Sequence, residues 1–394
     1  MAVFTQTPDP IYVTTQDGCR LELRHHPGAS GTRSVLLVHG GSAASDTFRI
    51  AERQTLVDYL LNADFDVWTL DWRAGKRCAR TIYCADRKKD PTLVTSDAAA
   101  TCDVCEEKDP NTNIFTIDAA ASHDVPGAIR EMRAHGVEGK IGIIGHCMGG
   151  AIVAQGIALG AIPATDVENV VITALGLFYR GAIDNVIKVE DQALEQLLAD
   201  RQYLLHPTKE WASSVCTQDP GNGKWDRLLQ EPYEVWFNTP LRHSCDIEYC
   251  YRLSYMFGML YVPDNIPSIH AEHLLSQFGY IPVQFLLHCA QNLRRGHCGP
   301  FVPNSGGTLP PDNSYLNHAA FQDRKLTLIT GNLNSNWHRD SIDTMHEWLR
   351  RGRKADQPRK LLKYVLSDFG HQDLYWGSDA PARVFPLIRE GLRL

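Results

Sequence analysis

Three residue types that together support covalent acyl chemistry occupy telling positions in the chain. Cys147 lies in the run Ile141-Gly142-Ile143-Ile144-Gly145-His146-Cys147-Met148-Gly149-Gly150. An apolar strand leads into Gly-His-Cys-Met-Gly and then into a stretch of small residues, 151–161, that reads as a helix. This is the strand–turn–helix pattern of a nucleophile elbow, with a thiol in place of the usual serine. Gly145 and Gly149 flank the cysteine two residues to either side, where a Cβ would crowd the neighbouring strand or helix. The Met148 amide, at the helix N-terminus, points where an oxyanion would form. A nearby histidine and the positive end of the helix dipole would activate the thiol. The plainer alternative is a buried cysteine packed under a glycine-rich turn.

A thiol nucleophile needs a base within hydrogen-bond reach and a group that orients the base. With an elbow nucleophile, the chain order is nucleophile, acid, histidine, and the histidine follows the last strand. Of the 16 histidines, His371 is the one in that place, in Ser367-Asp368-Phe369-Gly370-His371-Gln372-Asp373. It would serve as general base and then general acid. The orienting group should follow the strand 326–330, where the chain reads Thr330-Gly331-Asn332-Leu333-Asn334-Ser335-Asn336-Trp337 with no carboxylate before Asp340. An asparagine holds a histidine through its side-chain oxygen in Cys–His–Asn sites. Asn334 is therefore the first choice, with Asp340 and Asp343 as rivals. The competing reading has these asparagines capping a helix over 341–351.

The surrounding elements must position these residues. Strands are expected at 11–15, 19–25, 34–38, 65–70, 141–144, 170–177, 326–330 and Leu361–Leu366, and helices at 48–62 and 117–135. Strands alternating with helices predict an α/β fold, a mostly parallel sheet with helices on both faces. Two stretches interrupt the alternation: a polar, cysteine-bearing insertion over 76–113, and a long segment over 178–322. The latter holds Trp211, Trp225, Tyr233, Trp236, Phe237, Tyr249, Tyr251, Tyr255, Phe257 and Tyr261, and reads as a mainly helical cap over the sheet's carboxyl edge. The expected organisation is core 1–177, cap 178–322 and core 323–394, with the Pro/Gly-rich stretch 299–313 returning the chain from cap to core.

The chain has 394 residues, 43% hydrophobic and 22% charged, an ordinary globular composition. A formal charge of −7 gives no support for nucleic-acid binding. No apolar stretch is long enough to span a bilayer, and residues 1–10 do not resemble a signal peptide. The 11 cysteines then read as mostly reduced thiols of a cytoplasmic protein. Cys102 and Cys105 form a C-x-x-C that, with Cys78 and Cys84, could hold zinc, although the latter spacing is not the usual close pair; a local disulfide or free thiols are the alternatives. No cofactor is indicated, and the oligomeric state is not legible.

With these residues in view, the chain resembles the α/β-hydrolase superfamily along nearly its whole length. The stretch Gly370-His371-Gln372-Asp373-Leu374-Tyr375-Trp376-Gly377-Ser378-Asp379-Ala380-Pro381 is similar to the pattern carrying the catalytic histidine of acid lipases. A related group of bacterial proteins linked to sterol oxidation is also similar there. In acid lipases a Gly-x-x-Asp supplies the acid, and the matching position after Gly331 is Asn334. His39-Gly40-Gly41-Ser42 resembles their oxyanion loop, which implies that amides of Gly41 or Ser42 join that of Met148. Acid lipases carry serine at the elbow; Gly-x-Cys-x-Gly resembles dienelactone hydrolases and polyhydroxyalkanoate synthases.

The expected function is cleavage of an ester, lactone or thioester through a thioester acyl-enzyme. Acyl transfer or cyclisation by the same Cys–His pair is an alternative, as is a non-catalytic binding protein on a hydrolase scaffold. The aromatic-rich segment suggests a sizeable apolar small-molecule acyl substrate, unless those rings form the cap's own core.

Overall fold

The computed structural model describes residues 7–29, 32–50, 54–79, 82, 113–190, 204–205, 257–266, 277–303, 309, 314–353 and 361–393. An eight-stranded sheet runs through it, built from β1 (Ile11–Thr14), β2 (Arg20–His26), β3 (Arg33–Val38), β4 (Phe65–Asp71), β5 (Ile141–His146), β6 (Val167–Thr173), β9 (Lys325–Gly331) and β10 (Leu361–Leu366) in the order β1-β2-β4-β3-β5-β6-β9-β10. β1 pairs antiparallel with β2 and β2 antiparallel with β4; every later pairing is parallel. Leu204–Leu205 (β7) and Ile281–Pro282 (β8) form a separate two-stranded ribbon.

The central strands are apolar on both faces because both are covered. Alternation along each strand sends its residues into two separate cores. Leu36, Val38, Ile143, Ile172 and Leu328 pack on one face with Ile152 and Met345. These last two belong to the helices Met148–Ala158 and Asp340–Gly352. Val35, Leu37, Ile144, Val171 and Ile329 pack on the other face with Leu56, Leu60, Phe385 and Ile388, from the helices Leu56–Leu61 and Phe385–Arg393. The register Val35↔Gly142, Ile144↔Val171 and Ile172↔Leu328 keeps each set aligned across the sheet.

The helices differ from expectation in instructive places. The expected helix over 48–62 is a short 3-10 turn, Ser45–Phe48, followed by Leu56–Leu61. Thr55 and Asp58 form a reciprocal capping box, a start signal inside the apolar periodicity. The helix over 117–135 is present but carries a π turn at Ala120–Asp124. There the buried Asp124 carboxylate accepts bonds from the Arg73 backbone and guanidinium. β6 stops at Thr173, four residues short of the expected end, because Ala174 takes φ 71°.

Of the segment expected to form a cap, the described residues include the helices Ile183–Glu190 and Val283–Arg295. Trp211, Trp225, Tyr233, Trp236, Phe237, Tyr249, Tyr251 and Tyr255 lie outside the described residues, as do Cys84, Cys102 and Cys105. Cys78 is a buried thiol that donates to the Asp71 carbonyl at 3.2 Å. Among the described residues, no helix is long and apolar enough to cross a membrane.

Candidate active site

Cys147 joins β5 to the helix Met148–Ala158 at φ 54° and ψ −126°, a conformation that costs a non-glycine residue energy. Its neighbours show what permits the turn. A Cβ on Gly149 would run into the carbonyl oxygens of Val38 and His39, and one on Gly145 would come within 2.7 Å of the Gly150 Cα. The Cys147 amide donates to Thr173 O at 2.9 Å, and its carbonyl accepts from Ala151 at 3.1 Å, so both ends of the turn are fixed. The loop after β3 lies directly over it: a Cβ on Gly40 would sit 3.1 Å from the Cys147 Cβ. That loop is braced by the His39 ring on Gly40 O at 2.6 Å and by the Trp72 indole N–H on His39 O at 2.9 Å.

The Met148 amide, the Trp337 side chain and the Gly41 amide pull the Cys147 thiol toward its charged form. Ser42 is not a fourth. Its amide donates to Ala74 O at 2.8 Å and its hydroxyl to Gly279 O at 2.6 Å. The structure corrects the sequence expectation here, because Ser42 turns to φ 61° and faces away to carry the loop onward.

The loops after β9 and β10 bring His371 and Asn334 together. His371 Nδ1–H donates to Asn334 Oδ1 at 3.1 Å. The same oxygen accepts the backbone amides of Asn336 and Trp337, each at 3.2 Å. Two backbone N–H groups dictate which way the Asn334 amide faces. His371 must then carry its proton on Nδ1, leaving Nε2 as the basic nitrogen. The rivals are elsewhere. Asp340 is exposed and pairs with His338 at 3.1 Å; Asp343 pairs with Arg339 at 3.3 Å and Lys363 at 2.6 Å. Both carboxylates are taken by partners away from His371.

Burial dominates the electrostatics. It pushes the Cys147 thiol up to about 12, against the pull of Met148, Trp337 and Gly41. It pushes His371 down to about 3. Both shifts disfavour charge, so the thiol and the imidazole each rest neutral. The His146 ring lies 4.8 Å from that of His371, and it too is held well below its ordinary value, by burial first and then by His371. His146 Nδ1 meets Thr173 Oγ1 at 2.9 Å, which meets Tyr375 OH at 2.8 Å, a chain that holds the His146 ring beside His371.

A strained turn between a parallel strand and a helix, with a histidine on the loop after the last strand, now has an independent counterpart. The profile of the Alpha/beta hydrolase family matches residues 35–385. The chain belongs to the alpha/beta hydrolase family. No curated protein matches it. Among solved structures, a soluble variant of monoglyceride lipase from Saccharomyces cerevisiae, bound to a substrate analog, is similar at TM-score 0.54 and 14% identity, over 100% of this chain and 97% of that one. A thermophilic esterase from Thermogutta terrifontis with malate bound is similar at TM-score 0.50 and 17% identity, over 98% of each chain. A lipase in an open form is similar at TM-score 0.51 and 12% identity, over 98% of each chain. These likenesses bear on the fold.

Parts of this hydrolase's site escape a reading of residue spacing. Asp373, two residues beyond His371, is fully buried and accepts from Gly370 N at 2.7 Å, Asn265 Nδ2 at 2.7 Å and Val262 N at 3.2 Å. It fastens the His371 loop to residues 260–266, which Gln372 N reinforces by donating to Leu260 O at 2.6 Å. The helix Val283–Arg295 brings Phe285 against Gly41, and Cys289 to within 3.8 Å of the Met148 sulfur. Trp337 sits in the Asn334 loop, where its amide donates to Asn334 Oδ1 at 3.2 Å.

Proposed function

We propose that this hydrolase cleaves an ester, lactone or thioester of an apolar acyl group through a thioester on Cys147. The observation that carries the reading is the strained turn of Cys147 at φ 54°, which sets its thiol beneath the Gly40–Gly41 loop, with the Met148 and Gly41 amides pulling it toward its charged form. A carbonyl bonded to that sulfur would place its oxygen within reach of the same amides.

The steps follow from the neutral resting pair. The Cys147 proton passes to His371 Nε2 as the sulfur attacks the carbonyl carbon, and the carbonyl π electrons move to oxygen. Asn334 Oδ1, on Nδ1–H, steadies the imidazolium. The tetrahedral intermediate collapses, the carbon–leaving-group bond breaks, and the leaving group takes the proton from His371. Water then attacks the thioester, gives its proton to Nε2, and returns Cys147 as a thiol. Because burial opposes charge on both partners, the proton moves with bond formation rather than before it. The apolar flank of Ile281, Phe285 and Met148 against Gly41 supports an apolar acyl group.

The test is intact mass, recorded within seconds of mixing with an activated ester, beside Cys147→Ala and His371→Ala. Wild type should gain one acyl group that decays in water, and Cys147→Ala should gain none. A wild type that stays unmodified across several esters and thioesters would sink the reading. Added alcohol or amine acceptors reveal whether the acyl group goes to water or to another nucleophile.

A further inference from the structure

Thr173 bonds to both halves of the site. It is the last residue of β6, fully buried, and lies beside β5 at the register His146↔Thr173. Its carbonyl accepts the Cys147 amide at 2.9 Å. Its hydroxyl oxygen lies 2.9 Å from His146 Nδ1 and 2.8 Å from Tyr375 OH. Tyr375 belongs to the short helix Asp373–Trp376, which follows His371 directly in the chain. The contacts close on themselves. The His146 ring packs edge-on against the Tyr375 ring, with centroids 4.8 Å apart and planes at 71°, and its centroid lies 4.8 Å from that of His371. Asn334 and Asp373 tie His371 to the β9 loop and to residues 260–266. The Thr173 hydroxyl ties the same loop to the strand that leads into Cys147.

We propose that Thr173 is a positioning residue of this hydrolase: its hydroxyl, shared by His146 and Tyr375, holds the His371 loop in register with the Cys147 turn, so that Nε2 reaches the thiol. The proposal rests on Cys147 being the nucleophile and His371 its base. The main chain of Thr173 fixes the nucleophile and its side chain fixes the base, so their separation is set through one residue. Thr173, His146 and Tyr375 are all buried, and hydrogen bonds in such surroundings are stronger than in water. Proton transfer demands this accuracy, since a displacement of about 1 Å can slow a positioned reaction on the order of 10²-fold.

The experiment compares wild type with Thr173→Val, which keeps the branched shape and loses the hydroxyl, with Thr173→Ser, with Tyr375→Phe, and with the Thr173→Val/Tyr375→Phe pair. Single-turnover acylation by p-nitrophenyl butyrate is followed against ester concentration. Thr173→Val and Tyr375→Phe should each acylate about 10- to 100-fold more slowly at saturation, with the half-saturating ester concentration unchanged. Thr173→Ser, which restores the hydroxyl, should recover most of the rate. The pair should be about as slow as its slower member, because both substitutions remove one shared bond. A purely structural role would lower the melting temperature and leave the rate per folded molecule in place. Wild-type rates in Thr173→Val, a serine variant as slow as the valine one, or losses that multiply in the pair would each overturn the Thr173 role while Cys147 stands. Should Thr173→Val fail to fold, Tyr375→Phe reads the same bond from its other end, and a wild-type rate there would overturn the role. If wild type itself takes up no acyl group, the nucleophile reading fails and the Thr173 role with it.

Discussion

The two halves of the site are held by different forces. The Cys147 side is a backbone construction: a strand end, a strained residue at φ 54°, and glycines whose hydrogens face carbonyl oxygens. The His371 side is a side-chain construction: Asn334 and Asp373 each gather three N–H donors from separated segments and so fix two loops. The first is part of the sheet and cannot be altered without altering the fold. The second is added to the sheet and can fail while the fold survives. Substitutions on the two sides should therefore give different kinds of loss.

The largest effect is expected at Gly149. An alanine there drives a Cβ into the carbonyls of Val38 and His39, where backbone rather than a flexible side chain must yield. Gly149→Ala should lose more than about 4 kcal/mol and give little folded protein, the outcome of backbone overpacking in a rigid core. A thermal midpoint close to that of wild type would show that the elbow can relax, and the contrast between the halves would fall.

His371→Ala should do the opposite, keeping the fold and losing the chemistry. Removal of a general base typically slows its step about 10²- to 10⁴-fold. Single-turnover acylation beside a circular dichroism spectrum separates the two outcomes. Unfolding in step with the loss of rate would make the His371 loop structural.

Asn334 sharpens the comparison because it offers a graded change. Asn334→Ala strips three donors of their acceptor, including two backbone amides, and should slow acylation by roughly 10- to 100-fold. Asn334→Asp keeps all three bonds and adds a charge that favours the imidazolium. It should retain the rate of wild type or exceed it. The acid limb of the pH–rate profile should also move upward, because a carboxylate raises the pKa of His371 from about 3. An unmoved limb would mean that another group governs it.

The same contrast explains what the residues announced in advance. The strained strand–turn–helix at Cys147 was legible because sterics restrict its residue types: few sequences put glycine on both sides of a cysteine between an apolar strand and a helix of small residues. The parallel sheet followed from apolar runs that only doubly covered strands require. The place of His371 was legible because it lies just after the last strand. Asn334 could be named but not separated from Asp340 and Asp343, since its claim rests on one oxygen facing three donors. The Ser42 amide committed to Ala74 and the Asp373 anchor depend on where distant loops land, and local spacing does not encode that. The capping box at Thr55 was overlooked because apolar periodicity continued across it.

The smallest effect tests burial itself. A histidine held at about 3 in the folded protein stays neutral there, while the unfolded chain takes up its proton near 6.5. Between these values the unfolded state binds more protons, so stability falls as pH falls through that window. His371 alone should cost up to about 1.4 kcal/mol for each pH unit below 6.5. His146, depressed in the same direction, adds to the slope. Urea midpoints measured from pH 7 to pH 5, where few carboxylates titrate, should decline in wild type and decline less steeply in His371→Gln. Equal slopes would show that His371 takes up a proton without leaving the fold. The neutral resting pair, and the concerted proton transfer built on it, would then have to give way to a preformed thiolate–imidazolium pair.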